Sequence, residues 1–354
     1  MNEESKALIQ QAICVNDYST ITQMIQAADD PSRFAGEILG LAVDAKDESL
    51  VDALLPHLDG VSQSYPIIRA VQRGTASIVK KLISLTEPDL DNSEALIRAA
   101  SLGRVAMVEA LLPHSDALSN ESEALLRAAR NGHVATVLAL IPRSDPKAQD
   151  SRALQAACSK GHVEVVRVLL PVSSQIQCAL GAFPSAASQG QLEVIELLID
   201  SNLPDAVDTY CAGLDSAVRG GHLAVVQRLI EAIVPLERPR QFGRTALNEA
   251  AGSGHLDIVK ALLAVTDESA VPGRALVNAL EQGHDEVVGA LLGHVTAEEV
   301  RSNIHGAELL AKFEAIVARQ AAAAQRADLD EVTEPVVPFA FESNVEIKAA
   351  KLRL

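Results

Sequence analysis

Residues 246–263 read Ala-Leu-Asn-Glu-Ala-Ala-Gly-Ser-Gly-His-Leu-Asp-Ile-Val-Lys-Ala-Leu-Leu. Apolar residues recur three and four apart on either side of Gly254, the spacing that gives each of two helices one buried stripe. Gly254 stands where the chain must reverse, because glycine enters the left-handed region without a Cβ penalty. The stretch therefore describes an antiparallel helix pair.

The same spacing recurs along the chain. Aligned on Gly254, the glycine slot holds Gly74, Gly103, Gly132, Gly161, Gly190, Gly221 and Gly283, with Asn16 and Lys46 in the first two copies. Most steps are 29 residues, and the step into Gly254 is 33. A helix pair cannot bury its apolar face alone, so a fixed short period means stacked units, each touching only its neighbours. The expected fold is an all-α solenoid of about ten copies over roughly residues 5–293.

Composition agrees with thin helical layers. The chain is 48% hydrophobic but only 3% aromatic and has no Trp, so Ala, Leu, Val and Ile must build the core. Pairs such as Ala99-Ala100, Ala128-Ala129 and Ala250-Ala251 let first helices approach closely, and Leu111-Leu112, Leu140-Ile141 and Leu262-Leu263 fill the space between layers. Pro56, Pro113, Pro142 and Pro171 directly follow such pairs and are expected to stop the second helix abruptly. Lys46-Asp47 replaces Gly-His in the second copy, so that turn is expected to be built differently from the later ones.

A net charge of −17 argues against general nucleic-acid affinity, which depends on cations that neutralise phosphates. Cys14, Cys158, Cys178 and Cys211 show no C-x-x-C spacing and read as reduced thiols. No signal peptide or run of eighteen apolar residues is visible, so a cytoplasmic location without a membrane span is expected.

Compact phosphate-binding, zinc-protease and nucleophile-elbow motifs are absent from the sequence. His133, His162, His222, His255 and His284 follow the glycine in successive copies and resemble a metal ladder. Layers stack about 8–10 Å apart, however, and zinc needs nitrogens about 2.0–2.1 Å from one ion. Turn-stabilising hydrogen bonds are the better reading, and the same distance disposes of His57, His114 and His294. Cys158 and His162 lie four apart, but a thiol-imidazole dyad needs a third orienting group, and Cys158 fills a small core slot. No catalytic residue, cofactor or metal site is expected.

One pattern is basic. The residue before the paired small positions is Arg69, Arg98 and Arg127 in three consecutive copies, with Arg73, Arg130 and Lys160 just ahead of the glycine. A row of cations suits carboxylates or phosphates of a partner, unless local acids neutralise it.

Thr245 to Leu263 resembles the ankyrin repeat, T-x-L-x-x-A-A-x-x-G-H-x-x-x-V-x-x-L-L, with Thr75, Arg104 and Gln191 departing at the His slot. The resemblance implies stacked antiparallel helix pairs with β-hairpin fingers, shortened here because the 29-residue copies lose residues only between the Leu pair and the next Ala. The 33-residue step implies one full-length finger carrying Arg240, Phe242 and Arg244. It further implies a non-catalytic scaffold that binds another protein along a concave surface. Arg69, Arg73, Arg98, Arg127, Arg130, Asn131, Lys160, Gln189 and Arg219 are the expected contacts. The alternatives are an acidic inhibitor or nucleic-acid mimic that blocks a basic partner, which a contiguous acidic face would favour, or a targeting arm of the secreted bacterial effector type, acting in a host cytosol.

The expected organisation is a repeat array at 1–295, C-terminal capping helices at 296–327 and an acidic, Pro-containing tail at 328–354. Leu309, Leu310, Phe313, Ile316 and Val317 make the apolar face of the cap. A monomer is expected.

Overall fold

A computed structural model describes residues 3–58, 64–83, 91–201, 203–236, 239–265, 273–295, 300, 301, 304 and 307–332. Among the described residues the chain is helical throughout and no strand occurs. First helices (for example Asp91–Ser101, Ser119–Arg130 and Ala148–Lys160) stack on one another in one row. Second helices (Val105–Leu111, Val134–Leu140 and Val163–Leu169) stack in a second row.

The two rows are held by the residues that the period singled out. Ala99, Ala100, Ala128, Ala129, Ala157 and Cys158 are fully buried between first helices, and Leu111, Leu140 and Leu169 are fully buried under second helices. Small residues permit closer approach along the first row than along the second.

The turns around the glycine slot are uniform. Gly103, Gly132, Gly161, Gly190, Gly221, Gly254 and Gly283 all have φ between 68° and 78°. The next N–H then reaches back to the first helix, as from His162 to Ala157 O at 3.0 Å. The expectation of a different second turn is corrected: Lys46 has φ 57°, and Asp47 N–H reaches Ala42 O at 3.0 Å in the same way. Asn16, φ 54°, does likewise through Asp17 and Ala12 O. Gly74 is the exception, with no left-handed φ and an N–H on Ala70 O at 2.8 Å.

Among the described residues, the segments between copies contain no β-structure. Leu55–His57, Leu112–His114, Ile141–Arg143 and Leu170–Val172 form 3-10 turns with proline near their start. The abrupt stop expected at proline is thus a tightening: the ring fits the first residues of a narrower turn. In two copies the chain then enters the next first helix through three left-handed residues, Asn120-Glu121-Ser122 and Gln149-Asp150-Ser151. Left-handed backbone costs roughly 1–2 kcal/mol per residue without glycine. It is offset by the buried hydroxyls of Ser122 and Ser151, which accept the N–H groups of Asp145 at 2.9 Å and Ser174 at 3.0 Å. Ser93 does the same for Asp116 at 3.2 Å.

The full-length finger expected from the 33-residue step is also corrected. Pro239–Gly252 is a single helix, so Arg240, Phe242 and Arg244 lie in its opening turns. The additional residues extend the first helix, which Pro239 can begin because its missing N–H is unneeded there. At the C-terminus, Ala307–Val332 is one helix that runs past the expected boundary at 327. Phe313 is fully buried and Ile316 nearly so, with Leu309, Leu310 and Val317 packed beside them. The expected helix at 296–302 lies outside the described residues except for Val300 and Arg301, and so does the tail beyond Val332.

Candidate partner-binding face

In six copies the residue after the glycine ties that copy to the one before it. Nε2 of His133, His162, His222 and His284 meets the carbonyls of Ser101, Arg130, Ser188 and Gly252 at 3.0–3.1 Å. A carbonyl only accepts, so Nε2 carries the proton. Gln191 makes the equivalent bond to Ser159 O at 3.4 Å and Arg104 to Gln72 O at 2.6 Å. Two of the three departures at the His slot therefore preserve its bond, whereas Thr75 donates its hydroxyl to Glu48 Oε1 at 2.9 Å. Every accepting carbonyl belongs to the residue two before the previous glycine, so the ladder fixes the last turn of each first helix, where the expected contact residues sit.

Those residues separate into paired and unpaired groups. Arg69 makes a two-point contact with Asp44, and Arg73 reaches the same carboxylate at 3.5 Å. Arg127 pairs with Glu123 one turn earlier on its own helix. Arg219 pairs with Glu249 of the following copy at 3.3 Å. Exposed Arg98, Arg130 and Lys160 form no ion pair among the described residues. Asn131 is exposed and donates to Ser101 O at 2.7 Å, and Gln189 is exposed in the copy beyond Lys160.

Asp44–Arg69 and Arg219–Glu249 share one register, joining the residue two before a glycine to the residue five before the next. In that register Arg98 faces Gln72, Arg127 faces Ser101 and Arg130 faces Ala156, none of them acidic. From five positions to one position before the glycine, the copies of Gly74, Gly103, Gly132 and Gly161 contain Arg69, Arg73, Arg98, Arg127, Arg130 and Lys160 and no acid. Acids lie one turn earlier: Glu94 and Glu123 join Ile97, Arg98, Ser101, Asn120 and Arg127 around a cleft of about 390 Å³.

Asp44 closes the strip at one end. The hydrogen bond from Arg69 holds its carboxyl below the ordinary 3.8, against a smaller opposing effect of burial. A depressed carboxyl stabilises the fold above its ordinary value and loses that contribution as pH falls through the lowered one. The difference in melting temperature between wild type and Asp44→Asn is therefore expected to be largest near neutrality and to shrink as pH falls below the ordinary carboxylate range. A gap that stays constant in thermal scans from pH 7 to pH 2.5 would show that the pair contributes nothing through charge.

Burial pushes the Cys158 thiol well above its usual range and Cys178 up to about 12, and all four cysteines are free. His162 is engaged with Arg130 O, so Cys158 and His162 form no dyad. Among the described residues no group of three or more His, Cys, Asp and Glu is arranged to hold a metal ion. No helix there is long and apolar enough to cross a membrane.

The profile described as ankyrin repeats, in three copies, matches residues 39–123, 67–150, 125–209 and 214–303, which together span most of the chain. The chain belongs to the ankyrin-repeat family. No curated protein matches it. Among solved structures, the human ASB11 ankyrin repeat domain is similar over 48% of this chain and 82% of that one, at 23% identity and a TM-score of 0.41. Ankyrin repeats are in general protein-protein interaction modules. The ankyrin array here keeps the paired helices of the repeat.

Sequence reasoning found the basic positions but missed the acids that pair with two of them across layers. Asp44 and Glu249 pair with residues 25 and 30 positions away, and each occupies a slot that holds a different residue type in every neighbouring copy. Their role appears only when the register between adjacent layers is known.

Proposed function

We propose that this ankyrin-repeat protein is a non-catalytic scaffold that grips an acidic stretch of another protein along its concave face. Arg98, Arg127, Arg130 and Lys160 are the principal contacts, with Asn131 and Gln189 as flanking polar groups. The supporting observation is the run of cations from Arg69 to Lys160 in four successive copies, closed at its first end by the Asp44 ion pair and holding Arg98, Arg130 and Lys160 without an ion pair among the described residues. Cations in the last turn of a helix also complement its dipole. Phe183–Ser188, Pro239–Gly252 and Gly273–Gln282 have none there, so the dipole does not require the clustering in consecutive copies.

Nucleic-acid mimicry is less well supported. Acids predominate on the second helices but are interrupted by Lys80, Lys81, Arg167, Arg228 and Lys260, a mixture that favours solubility over an imitated phosphate backbone. Buried free Cys158 and Cys178 suit a reducing compartment such as the cytosol.

The test is quantitative affinity capture with Arg98→Glu/Arg127→Glu/Arg130→Glu against wild type, using Arg33→Glu as a control on an exposed arginine far from the strip. The triple reversal is expected to lose its partner by at least about tenfold, since two or three charge-assisted contacts contribute roughly 1.5–3 kcal/mol each. Equal recovery with the triple variant would refute the proposal.

A further inference from the structure

The cations do not stand alone on the first helices, and what stands beside them narrows the partner. We infer that the first-helix face of the copies of Gly74, Gly103 and Gly132 takes a segment of another protein that is apolar as well as acidic, with aliphatic or aromatic side chains set among its carboxylates. The inference rests on the functional reading above and specifies the partner's chemistry.

Six positions before the glycine, these three copies hold Ile68, Ile97 and Leu126, each followed directly by Arg69, Arg98 or Arg127. The slots are equivalent, and the copies are joined in one register. Arg104 Nη2 reaches Gln72 O at 2.6 Å and His133 Nε2 reaches Ser101 O at 3.1 Å, each linking the residue after one glycine to the residue two before the previous glycine. The three first helices pack against one another in order, so the apolar slots form one column and the arginines a second beside it. Ile68 and Ile97 are half-buried, and Leu126 is 9% exposed.

The core does not require that column. Gln155, Asp215 and Asn248 occupy the same slot in later copies, so the fold accepts a polar side chain there. Leu102 extends the apolar surface: it is 45% exposed, in a slot that holds Arg73 and Asn131 in the copies on either side. Asn131 Nδ2 donates to Ser101 O at 2.7 Å, which holds the next layer beside Leu102. One exposed leucine by itself is ordinary. Here it adjoins an apolar column and Arg98 and Arg130, which have no ion pair among the described residues.

The acids on this face make the apolar contact necessary. Glu94 and Ile97 line the same cleft as Arg98, and Glu123 pairs with Arg127. A purely acidic segment is attracted by Arg98 and Arg130 but repelled by Glu94. Apolar contact with Ile97 and Leu102 is indifferent to the sign of the neighbouring charge and adds to whatever the arginines supply.

Two fluorescein-labelled peptides of equal length and charge test this by anisotropy against the full chain. One alternates pairs of glutamate with pairs of leucine, and the other has serine at every leucine. The leucine peptide is expected to bind at least about tenfold more tightly, the gain from burying a single leucine side chain. Ile97→Gln/Leu102→Ser is expected to remove that advantage and leave the affinity of the serine peptide unchanged. The glutamine is the residue that the equivalent slot holds at Gln155, and a thermal melt followed by circular dichroism checks the fold. Leu102→Ser alone, at an exposed position, is expected to reduce the advantage without altering the melt. Equal affinity for the two peptides, binding by neither, or an advantage that survives the double variant overturns the inference. Tighter binding of the leucine peptide after removal of residues 333–354 would put the chain's own C-terminal segment on this face and overturn the assignment to another protein. If the charge-reversed protein loses its cellular partner while the two peptides bind alike, the scaffold reading stands and only the apolar requirement fails.

Discussion

Phe183→Ala is expected to lower stability by about 3–5 kcal/mol, the usual loss on truncating a buried aromatic ring, and to split a single unfolding transition into two. The ring is fully buried and stacks on Tyr210 with centroids 5.5 Å apart and planes 29° from parallel. It fills the space left by Gly213, where an added Cβ would lie 2.5 Å from Phe183 Cε1. In a chain with six Phe, three Tyr and no Trp, this contact supplies an area of burial that the Ala-rich interfaces elsewhere lack. The segment leading into it is also distinctive: Cys178–Ala182 forms a π-turn where the two preceding copies have left-handed entries. A solenoid is held together by nearest-neighbour interfaces, so a cavity at this one uncouples the copies on either side. Urea denaturation followed by far-ultraviolet circular dichroism is the measurement. One cooperative transition shifted by less than about 1 kcal/mol would show that the neighbouring Ala and Val contacts carry the junction.

The period, the helix pairs and the core were legible because each copy repeats the same solution. Ala at paired positions and Leu or Val three and four apart can be recognised without coordinates, since they satisfy a local helical period and a fixed packing distance together. The finger at 240–244 was misread for a related reason. Extra length relative to neighbouring copies marks an insertion but does not state its conformation, and here Pro239 begins a longer helix. The buried Ser93, Ser122 and Ser151 were equally visible at their 29-residue spacing. A serine beside Asn, Glu or Asp also suits an exposed helix start, and only the neighbouring loop reveals an N–H waiting for it. In the candidate site, the row of cations could be read directly, whereas its limits depended on which acid faces which arginine across two layers.

The glycine slot supports the last expectation. Gly132→Ala should cost distinctly more than Gly283→Ala, although their φ values are 77° and 78°. Either substitution incurs the left-handed penalty of an L-residue, roughly 1–2 kcal/mol. At Gly132 the new Cβ would also lie 2.8 Å from Nδ1 of His162, while at Gly283 it meets no heavy atom within 4 Å. The imidazole must move, and its bond to Arg130 O is worth about another 0.5–1.5 kcal/mol. The double variant Gly132→Ala/His162→Ala is expected to cost less than the sum of its two single changes, because the clash and the lost bond share one ring. Equal losses at Gly132 and Gly283 in chemical denaturation would mean that backbone conformation alone selects glycine. The two degenerate copies argue otherwise: Asn16 and Lys46 adopt the same left-handed turn, and the slot opposite them in the next copy holds Asp47 and Thr75, not histidine. At slots that face a histidine, such as Gly132, glycine is thus demanded by the ring from the following layer as well as by φ, and a loosened ring releases the carbonyl of Arg130 within the run of cations. Gly132→Ala should accordingly weaken acidic-peptide binding as well as folding, and Gly283→Ala should leave binding unchanged.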